Sequence, residues 1–336
     1  FLSGNFHMAI KIAGTGSYLP QKVLTNHDLE KMVDTSDEWI KTRTGIVERR
    51  IADTLESSSD MAFKASIKAM EMADITAEEL DFIIVATITG DRIIPSTACI
   101  LQKKLGASNA FCFDIQAACT GLIYAIEIAN SMIASGNKYK RALIVGVEKL
   151  SSITDWADRN TCVLFGDGAS AIVLEKRKGH HDVGGILASK LASNGNYADI
   201  LQVPAGVSEM PLTHELLDKK LNTIRMEGQE VFKLAVNEMA KACKDVISQT
   251  GISVDEIRWL IPHQANKRII EAVGTRLGIS PERVYVNLQK YGNTSAASVG
   301  IALDEIVRNK LVERGDYILV TAFGSGLTWG STLLKW

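Results

Sequence analysis

Cys119 is the residue of this chain whose surroundings best suit covalent chemistry. An apolar run from Phe111 to Ile115 stops at small residues, and Gly121 then opens a segment with apolar residues near helical spacing. The pattern predicts a strand, a tight turn and a helix, with Cys119 at the turn. Unpaired backbone N–H groups and the helix dipole would favour a thiolate there, and a thiolate attacks thioesters. A small buried cysteine that fills a crowded turn fits this stretch equally well.

The elements that would position Cys119 occur twice along the chain. Four segments return later in the same order, which indicates an internal duplication. The matches are Ile75–Ile84 with Ile252–Ile261, Lys104–Ser108 with Arg276–Ser280, Arg141–Gly146 with Asp316–Thr321, and Phe165–Gly168 with Phe323–Gly326. Two copies with a long period exclude a solenoid. Strands rich in Val and Ile alternate with helical stretches such as Met61–Met72 and Val231–Ser248, so the sequence predicts a duplicated α/β domain.

The duplication points to two partners for Cys119. The segment that matches the Cys119 turn in the second copy carries Asn293, and the strand end that matches Val85–Thr87 carries His263. Two-fold pseudo-symmetry would bring the three side chains to one face where the halves meet. Taken alone, His263 fits a core histidine with satisfied hydrogen bonds, and Asn293 fits an ordinary turn residue.

Composition limits the class of protein. The chain has 336 residues, of which 46% are hydrophobic, so it is long enough for two domains of ordinary size. A net charge of −2 with 23% charged residues gives no sign of a nucleic-acid surface. No apolar run reaches the roughly 18 residues that a membrane span needs, and no signal peptide is evident, so we expect a cytoplasmic protein.

The cysteines, the first residues and the repeat boundary give further predictions. The five cysteines are odd in number and form no Cys-x-x-Cys pair, so we expect neither a disulfide framework nor a zinc site. Residues 1–7 do not fit the pattern that follows and Met8 is a natural start, so we expect residues 1–7 to be a cloning remnant. We expect an N-terminal half at 8–180, with the nucleophile, and a C-terminal half at 181–336, with His263 and Asn293.

Three motifs give the chain a family resemblance. The contexts of the candidate residues, Ala118–Gly121, Pro262–Asn266 and Tyr291–Ser295, resemble those of β-ketoacyl-[acyl-carrier-protein] synthase III. This family starts bacterial fatty-acid synthesis. The resemblance runs from Ile10 to Trp336 and includes Thr35–Ile46, Trp156–Asn160, Phe165–Gly168 and Phe323–Gly330. It implies a thiolase-like five-layered α-β-α-β-α fold, in agreement with the duplication.

The resemblance also implies an acyltransferase reaction. Cys119 takes the acyl group of a short acyl-coenzyme A primer, and the acyl enzyme then condenses with malonyl-[acyl-carrier-protein]. The products are a 3-oxoacyl-carrier protein, CO2 and coenzyme A. His263 and Asn293 would both donate hydrogen bonds to the enolate, so no metal or other cofactor is needed. The backbone N–H groups of Cys119 and Ser325 would hold the oxyanion, although many relatives have glycine in place of Ser325. The family is expected to form a homodimer.

The same resemblance implies how substrates bind. Trp39 and Arg159 would sandwich the adenine of coenzyme A, with Arg43 near its phosphates. Gly228 and Phe232 would line a narrow channel, and Asn266 would hydrogen-bond within it and orient His263. The residues expected to dock the acidic carrier protein are Gln264, Lys267 and Arg268.

One position departs from the family pattern. Many relatives have phenylalanine where this chain has Ile94, and that residue reaches across the family's dimer interface to close the acyl pocket. We therefore expect an acetyl or a short branched acyl primer.

Two other functions stay open. One is a condensing enzyme of secondary metabolism, or one that makes hydroxymethylglutaryl-coenzyme A, for which no general-acid glutamate can be assigned from spacing. The other is a non-catalytic acyl-binding subunit. A cysteine protease fits poorly, because the repeat and the anion-binding residues would go unexplained.

Overall fold

The computed structural model describes residues 8–178 and 184–336. The expected remnant at residues 1–7 and the expected boundary between residues 180 and 181 lie outside the described residues. The strands are β1 (Met8–Tyr18), β2 (Lys22–Thr25), β3 (Glu48–Ile51), β4 (Phe82–Ala86), β5 (Phe111–Ile115), β6 (Arg141–Glu148), β7 (Gly168–Lys178), β8 (Gly185–Ser193), β9 (Leu201–Gln202), β10 (Arg225–Met226), β11 (Ile257–Pro262), β12 (Tyr317–Gly324) and β13 (Thr328–Lys335). The helices are α1 (Asn26–Leu29), α2 (Asp37–Thr44), α3 (Ser58–Ala73), α4 (Thr97–Leu105), α5 (Gly121–Ala134), α6 (His214–Asp218), α7 (Gly228–Thr250), α8 (Lys267–Leu277), α9 (Leu288–Tyr291) and α10 (Ser298–Arg308).

The two halves contain matching sheets. The first sheet has the order β1-β7-β6-β4-β5, in which β6, β4 and β5 are parallel and β1 and β7 are joined antiparallel. The second has the order β11-β12-β13-β8, in which β11 and β12 are parallel and the other pairs are antiparallel. In the first half, β4 follows a 3-10 turn closed by a capping box of Thr76 and Glu79. In the second half, β11 follows a 3-10 turn closed by a capping box of Ser253 and Glu256. The predicted duplication is therefore present in the described chain.

Five layers form around three apolar cores. Helices α5 and α10 lie between the two sheets, α3 and α4 cover the outer face of the first sheet, and α7 and α8 cover the outer face of the second. This is the expected α-β-α-β-α arrangement. The central core includes Leu122, Ile126, Leu303, Ile84 and Val320; the outer cores include Met61, Leu101 and Ile83 on one side and Val236, Val273 and Leu319 on the other.

A segment inserted after β1 brings α2 to the junction of the halves. Arg49 is fully buried there and donates to the carbonyl of Leu24 and to the carbonyl of Val163, 3.1 and 2.8 Å away. Burial lowers the pKa of its guanidinium to about 10. A small core that includes Ile40 and Ile270 packs α2 against α8. These contacts hold α2, which carries Trp39 and Arg43, beside the start of α8.

Residues 8–178 and 184–336 contain neither a membrane-spanning helix nor a metal-binding cluster. None of their helices is both long and apolar enough to cross a lipid bilayer. In the same part of the chain, no cluster of three or more His, Cys, Asp or Glu side chains could hold a metal ion.

Candidate active site

Cys119 lies in a 3-10 turn, Ala118–Thr120, between β5 and α5. The predicted order of strand, turn and helix is confirmed. Ala118 has a φ of 44°, so the chain turns sharply before the nucleophile. Two hydrogen bonds tie this turn to β13: Thr120 donates to the Thr328 carbonyl and Thr328 donates to the Ala117 carbonyl, each at 3.0 Å. The second half of the chain thus helps to fix the position of the sulfur.

Burial opposes the ionised form of Cys119 that the sequence predicts. Burial raises the pKa of the Cys119 thiol to about 12, the Ser295 hydroxyl lowers it, and the nearby carboxylate of Glu148 raises it. Desolvation therefore opposes the thiolate that the turn is predicted to favour. With a pKa raised in this way, Cys119 must pass its proton to an acceptor when it attacks a thioester.

His263 follows the last residue of β11 and is buried, with its Nδ1 atom 2.7 Å from the Ser298 hydroxyl. Burial lowers the pKa of the imidazole to about 4, so His263 is neutral at neutral pH. Ser298 begins α10, and its oxygen also accepts from the Gln264 N–H at 3.5 Å. If the Ser298 proton is donated to Nδ1, the imidazole carries its own proton on Nε2.

Asn293 is held by its backbone and by its side-chain oxygen. Its N–H donates to the Leu164 carbonyl at 2.8 Å, and its carbonyl accepts from the Gly166 N–H at 3.0 Å. The Oδ1 atom accepts from the Ser295 N–H at 2.8 Å. The amide nitrogen remains to donate, as the sequence analysis expected of an enolate donor.

The segment that carries Ser325 approaches the Cys119 turn closely. The turn from β12 to β13 brings Gly324 against the nucleophile: a Cβ at Gly324 would come within 2.7 Å of the Cys119 nitrogen. The left-handed conformation of this turn belongs to Gly326, with a φ of 132°, and Ser325 is not in that region. Serine therefore replaces glycine at 325 without the backbone strain that a positive φ would cause.

One cavity of about 860 Å³ brings most of the candidate residues together. Cys119, His263, Asn293 and Ser325 line it, as do five residues expected to bind coenzyme A, namely Trp39, Arg43, Gly228, Phe232 and Asn266. Much of the remaining wall is apolar and includes Ile88, Leu150, Val163, Phe165, Leu201, Val231, Met239, Ile269 and Phe323. Such a cavity can exclude water from a reacting thioester and hold an acyl chain.

The expected adenine site is closed in this structure. The Arg159 guanidinium stacks on Trp39, with its Cζ atom 4.4 Å from the ring centroid, and Arg43 is 6.0 Å from the same ring. No room is left for a base between Trp39 and Arg159, so a sandwiched adenine requires Arg159 to move. The weak 3.8 Å contact of Arg159 with Asp34, which is fully exposed, would not prevent that movement.

Two expected roles are wrong because the side chains are otherwise engaged. Gln264 is buried and cannot dock a partner: it donates to the carbonyls of Pro262 and Tyr285 and accepts from the Asn287 N–H. Asn266 lines the cavity but does not orient His263. Its side chain donates to the Arg43 carbonyl at 3.0 Å and accepts from the Arg268 N–H at 2.9 Å, where it caps α8. Ser298 contacts His263 instead.

Three other expected residues are exposed. Lys267 and Arg268 begin α8, where the Arg268 guanidinium lies 5.4 Å from the ring centroid of Phe232 on the cavity wall. Ile94 is 82% exposed and does not line the cavity of its own chain. A role for Ile94 in the acyl pocket therefore needs a second copy of the chain.

Two residues close to the chemistry are not among those that the sequence predicted. One is Ser298, which contacts His263. The other is Glu148, which is fully buried behind the cavity wall and bonded to Ser295. Neither belongs to a motif that marks it as functional. Both are brought to the site by contacts between distant parts of the chain.

The cysteines other than Cys119 are also free thiols in this structure. Cys162 and Cys243 are buried, while Cys99 is exposed and its sulfur lies 3.4 Å from that of Cys112. General thiol reagents can therefore reach Cys99, and a labelling experiment on Cys119 must identify the modified residue.

Known proteins similar to this chain agree with its architecture. The family model described as 3-Oxoacyl-[acyl-carrier-protein (ACP)] synthase III matches residues 113–195, and the model of the C-terminal part matches residues 247–336. The beta-ketoacyl-[acyl-carrier-protein] synthase III of Caldanaerobacter subterraneus subsp. tengcongensis is 55% identical over 98% of each chain.

Solved structures give the same result. The crystal structure of 3-oxoacyl-[acyl-carrier-protein] synthase III from Aquifex aeolicus VF5 matches with a TM-score of 0.89 and 50% identity over 97% of this chain and 100% of that chain. The priming β-ketosynthase of the R1128 polyketide biosynthetic pathway matches with a TM-score of 0.88 and 33% identity over 97% of this chain and 96% of that chain.

A duplicated five-layered fold whose halves share one cavity defines a thiolase-like condensing enzyme, which is an acyltransferase. The chain belongs to the 3-oxoacyl-[acyl-carrier-protein] synthase III family, which carries out the initiating condensation of fatty-acid synthesis. The expected family, fold and enzyme class are confirmed.

Proposed function

We propose that this protein transfers a short acyl group from coenzyme A to Cys119 and condenses it with malonyl-[acyl-carrier-protein]. The observation that carries the proposal is the position of Cys119, His263 and Asn293 on the wall of one cavity. In the first half-reaction the Cys119 sulfur bonds to the thioester carbonyl carbon and the carbon–sulfur bond to coenzyme A breaks. The backbone N–H groups of Cys119 and Ser325 hold the oxyanion that forms between these events.

The second half-reaction uses the two side-chain donors. The malonyl thioester loses CO2, and the enolate oxygen accepts hydrogen bonds from Nε2 of His263 and from the side-chain amide of Asn293. The enolate carbon bonds to the acyl carbonyl carbon, and Cys119 leaves as a thiolate, which takes up a proton from water before the next acylation. His263 suits this role because its burial keeps it neutral: neutral imidazole with Ser298 donating to Nδ1 presents an N–H on Nε2.

Substrate binding follows from the shape and charge of the cavity. Trp39 and Arg43 lie on its wall, and Arg159 stacks on Trp39, so coenzyme A would meet aromatic and cationic groups near α2. Phosphopantetheine would pass Gly228, Phe232 and Asn266 towards the sulfur. Lys267 and Arg268 remain the candidates for docking the acidic carrier protein, since both are exposed beside the cavity. The cytoplasmic location remains a prediction, as does the homodimer.

The test is mass spectrometry of the intact protein after mixing with acetyl-, isobutyryl- and octanoyl-coenzyme A. We expect a mass increase of one acyl group with a short primer, and no increase in the Cys119→Ala variant, since a methyl group cannot form a thioester. Cys99 is still present in that variant, so a mass increase in Cys119→Ala would reveal acylation of an exposed thiol other than Cys119. Wild-type protein that takes up no acyl group from any primer would rule out the proposed function.

A second candidate is priming in secondary metabolism, favoured by the similarity to the R1128 priming β-ketosynthase. The acyl enzyme would be the same and the extender would differ. We expect product with malonyl on the carrier protein of fatty-acid synthesis. A requirement for another carrier or for malonyl-coenzyme A would favour the second candidate.

A further inference from the structure

Glu148, the last residue of β6, is a fully buried carboxylate that the proposed mechanism does not use. The loop after β4 surrounds it with donors: the Thr89 hydroxyl at 2.6 Å, the Thr89 and Ile88 N–H groups at 3.2 and 3.1 Å, and the Thr87 hydroxyl at 3.3 Å. No cation takes part in these contacts. In residues 8–178 and 184–336, no arginine or lysine pairs with this carboxylate, and the contacts that hold it there are hydrogen bonds.

Ser295 connects this carboxylate to the nucleophile. Its hydroxyl donates to Oε1 of Glu148 at 3.2 Å, and the same hydroxyl lies near enough to Cys119 to lower the pKa of its thiol. Ser295 lines the cavity, whereas Glu148 lies behind its wall. A positive φ of 47° at Ser295 marks the turn that carries this hydroxyl. The Ser295 hydroxyl is thus close to both the Cys119 side chain and the Glu148 carboxylate.

Acylation needs an acceptor for the Cys119 proton. Burial raises the pKa of the Cys119 thiol to about 12 and lowers that of His263 to about 4, so His263 is a weak base for this proton. Burial raises the pKa of the Glu148 carboxyl to about 7 against the opposing effect of its hydrogen bonds. Glu148 is thus the stronger base of the two, and at pH 8 it is largely ionised.

We propose that Glu148 accepts, through the Ser295 hydroxyl, the proton that Cys119 loses when it is acylated. As the Cys119 sulfur bonds to the thioester carbon, its proton passes to the Ser295 oxygen and the Ser295 proton passes to Oε1 of Glu148. When the bond to coenzyme A breaks, the proton returns by the same route to the departing sulfur, and Glu148 is again a carboxylate. The inference rests on the proposed function, since it concerns acylation of Cys119.

The surroundings of Glu148 support a simple titration. The groups that face it are Thr87, Ile88 and Thr89 from the loop after β4, Ser295 from the turn before α10, and the Cys119 thiol from the turn before α5. Of these groups, it is the Cys119 thiol that titrates. Acylation should therefore depend on one ionisation near neutral pH.

The experiment measures the rate of acylation by rapid quench and intact-mass detection between pH 5.5 and 9, with the primer that acylates the wild type best. For wild-type protein we expect the rate to rise with pH through about 7 and then level off, since only ionised Glu148 accepts the proton. For Glu148→Gln we expect a loss of about 10²-fold at pH 8, in the range of general-base catalysis. Its remaining rate should keep rising with pH as more thiolate forms.

Ser295→Ala interrupts the same chain and should give the same loss and the same pH profile, and the double variant should be no slower than either. Glu175→Gln, which replaces another buried carboxylate of the same sheet, is the matched control and should retain the wild-type profile. Condensation of enzyme that is already acylated should be unaffected in Glu148→Gln, because that step needs no proton acceptor.

Three results would overturn the inference. Faster acylation in Glu148→Gln would mean that the carboxylate only repels the thiolate. A slower variant that still levels off above pH 7 would mean a structural role. Unchanged acylation in Ser295→Ala would remove the connecting group, and this variant decides the matter if Glu148→Gln does not fold. A wild type that is not acylated at all would instead reject the proposed function.

Discussion

At the scale of single residues, burial decides the charge of every group near the chemistry. The thiol of Cys119, the imidazole of His263 and the carboxyl of Glu148 all have pKa values shifted towards the neutral form, with desolvation as the largest cause. A neutral imidazole is what an enolate donor requires. A neutral thiol, in contrast, must be activated at each turnover. The site therefore combines preorganised donors with a nucleophile that needs a proton acceptor.

The state of His263 predicts a dependence of stability on pH. Its pKa is about 4 when folded and 6.5 in the unfolded chain, so between these values the unfolded chain binds the proton and the folded chain does not. Stability therefore falls as pH falls from 6.5 to 4. The loss assigned to this residue is roughly 3 kcal/mol, and it should be absent in His263→Gln. Urea unfolding of both proteins at pH 7 and pH 4 measures it.

The effect of His263 is the difference between wild type and His263→Gln in the stability that each loses between pH 7 and pH 4. Glu148 has its folded pKa raised from 4.5 to about 7, so its contribution falls as pH rises through that window, and the two residues oppose each other. His27→Gln removes an exposed histidine and serves as the control. If His263→Gln and wild type lose equal stability on acidification, His263 is not held neutral by burial.

At the scale of elements, the site depends on the close approach of backbone segments from the two halves. The loop before β7 passes the loop before α10, where Phe165 and Asn293 form an isolated bridge. Gly166 has no side chain at this crossing: a Cβ there would come within 2.3 Å of the Tyr291 carbonyl oxygen. The crossing sets the position of Asn293 relative to the first half.

Gly292 provides a test of this crossing. It has a φ of 65°, and a Cβ would lie 2.7 Å from the Leu164 carbonyl oxygen, so Gly292→Ala must displace the backbone that carries Asn293. Gly278→Ala is the control for a positive φ alone, because Gly278 has a φ of 72° and no atom within 4 Å of such a Cβ. Its ψ is 20°, whereas the ψ of −159° at Gly292 is a conformation that essentially only glycine adopts. We expect the control to cost about 1 kcal/mol from its backbone conformation alone, and Gly292→Ala to cost at least twice that.

Urea unfolding and condensation by pre-acylated enzyme measure the two effects of Gly292→Ala. Condensation should fall by about 10-fold or more, because an enolate donor displaced by even 1 Å loses its effect. The control should condense at the wild-type rate. Equal losses of stability in both variants would show that the crossing does not constrain Asn293.

The elements were largely predictable from the sequence, and the contacts between them were not. The helical stretch Met61–Met72 lies within α3, and Val231–Ser248 lies within α7, because both keep an apolar face at helical spacing. Local pattern carries no information on which distant hydroxyl meets a side chain. The bond of Ser295 to Glu148 joins residues 147 positions apart, and no spacing rule reports it. Gln264 was wrong as a docking residue for the same reason, since its burial depends on Tyr285 and Asn287.

At the scale of the whole molecule, duplication explains how one cavity receives groups from both halves. The turns at Ala118 and Ser295 have similar φ values, 44° and 47°, and each leads into a central helix. The first supplies the nucleophile and the second supplies Ser295 and, just upstream, Asn293. Two copies of one turn have thus acquired different chemistry while retaining the same backbone geometry.

The outer edge of β5 is a candidate contact surface for a second copy of the chain. Strand β5 pairs with β4 on one side, and no other strand of the described chain pairs with its outer edge. Phe111 on this strand is 39% exposed, and Ile93 and Ile94, in the loop between β4 and α4, are 85% and 82% exposed. An open edge with apolar neighbours is the kind of surface that a second chain covers. This supports the expected homodimer, with Ile94 reaching the partner's acyl pocket.

Primer choice should therefore change with the size of residue 94. In Ile94→Phe a larger side chain would shorten the partner's pocket, so the ratio of acetyl to isobutyryl acylation should rise by about 10-fold, as expected for the loss of room for a methyl group. Ile93→Phe is the matched control, since Ile93 is equally exposed and one residue away. Acylation rates with both primers, measured above the dissociation constant of the dimer, give the ratio. A ratio that changes equally in both variants, or a wild-type protein that is monomeric by light scattering, would contradict a pocket completed by Ile94 of a second chain.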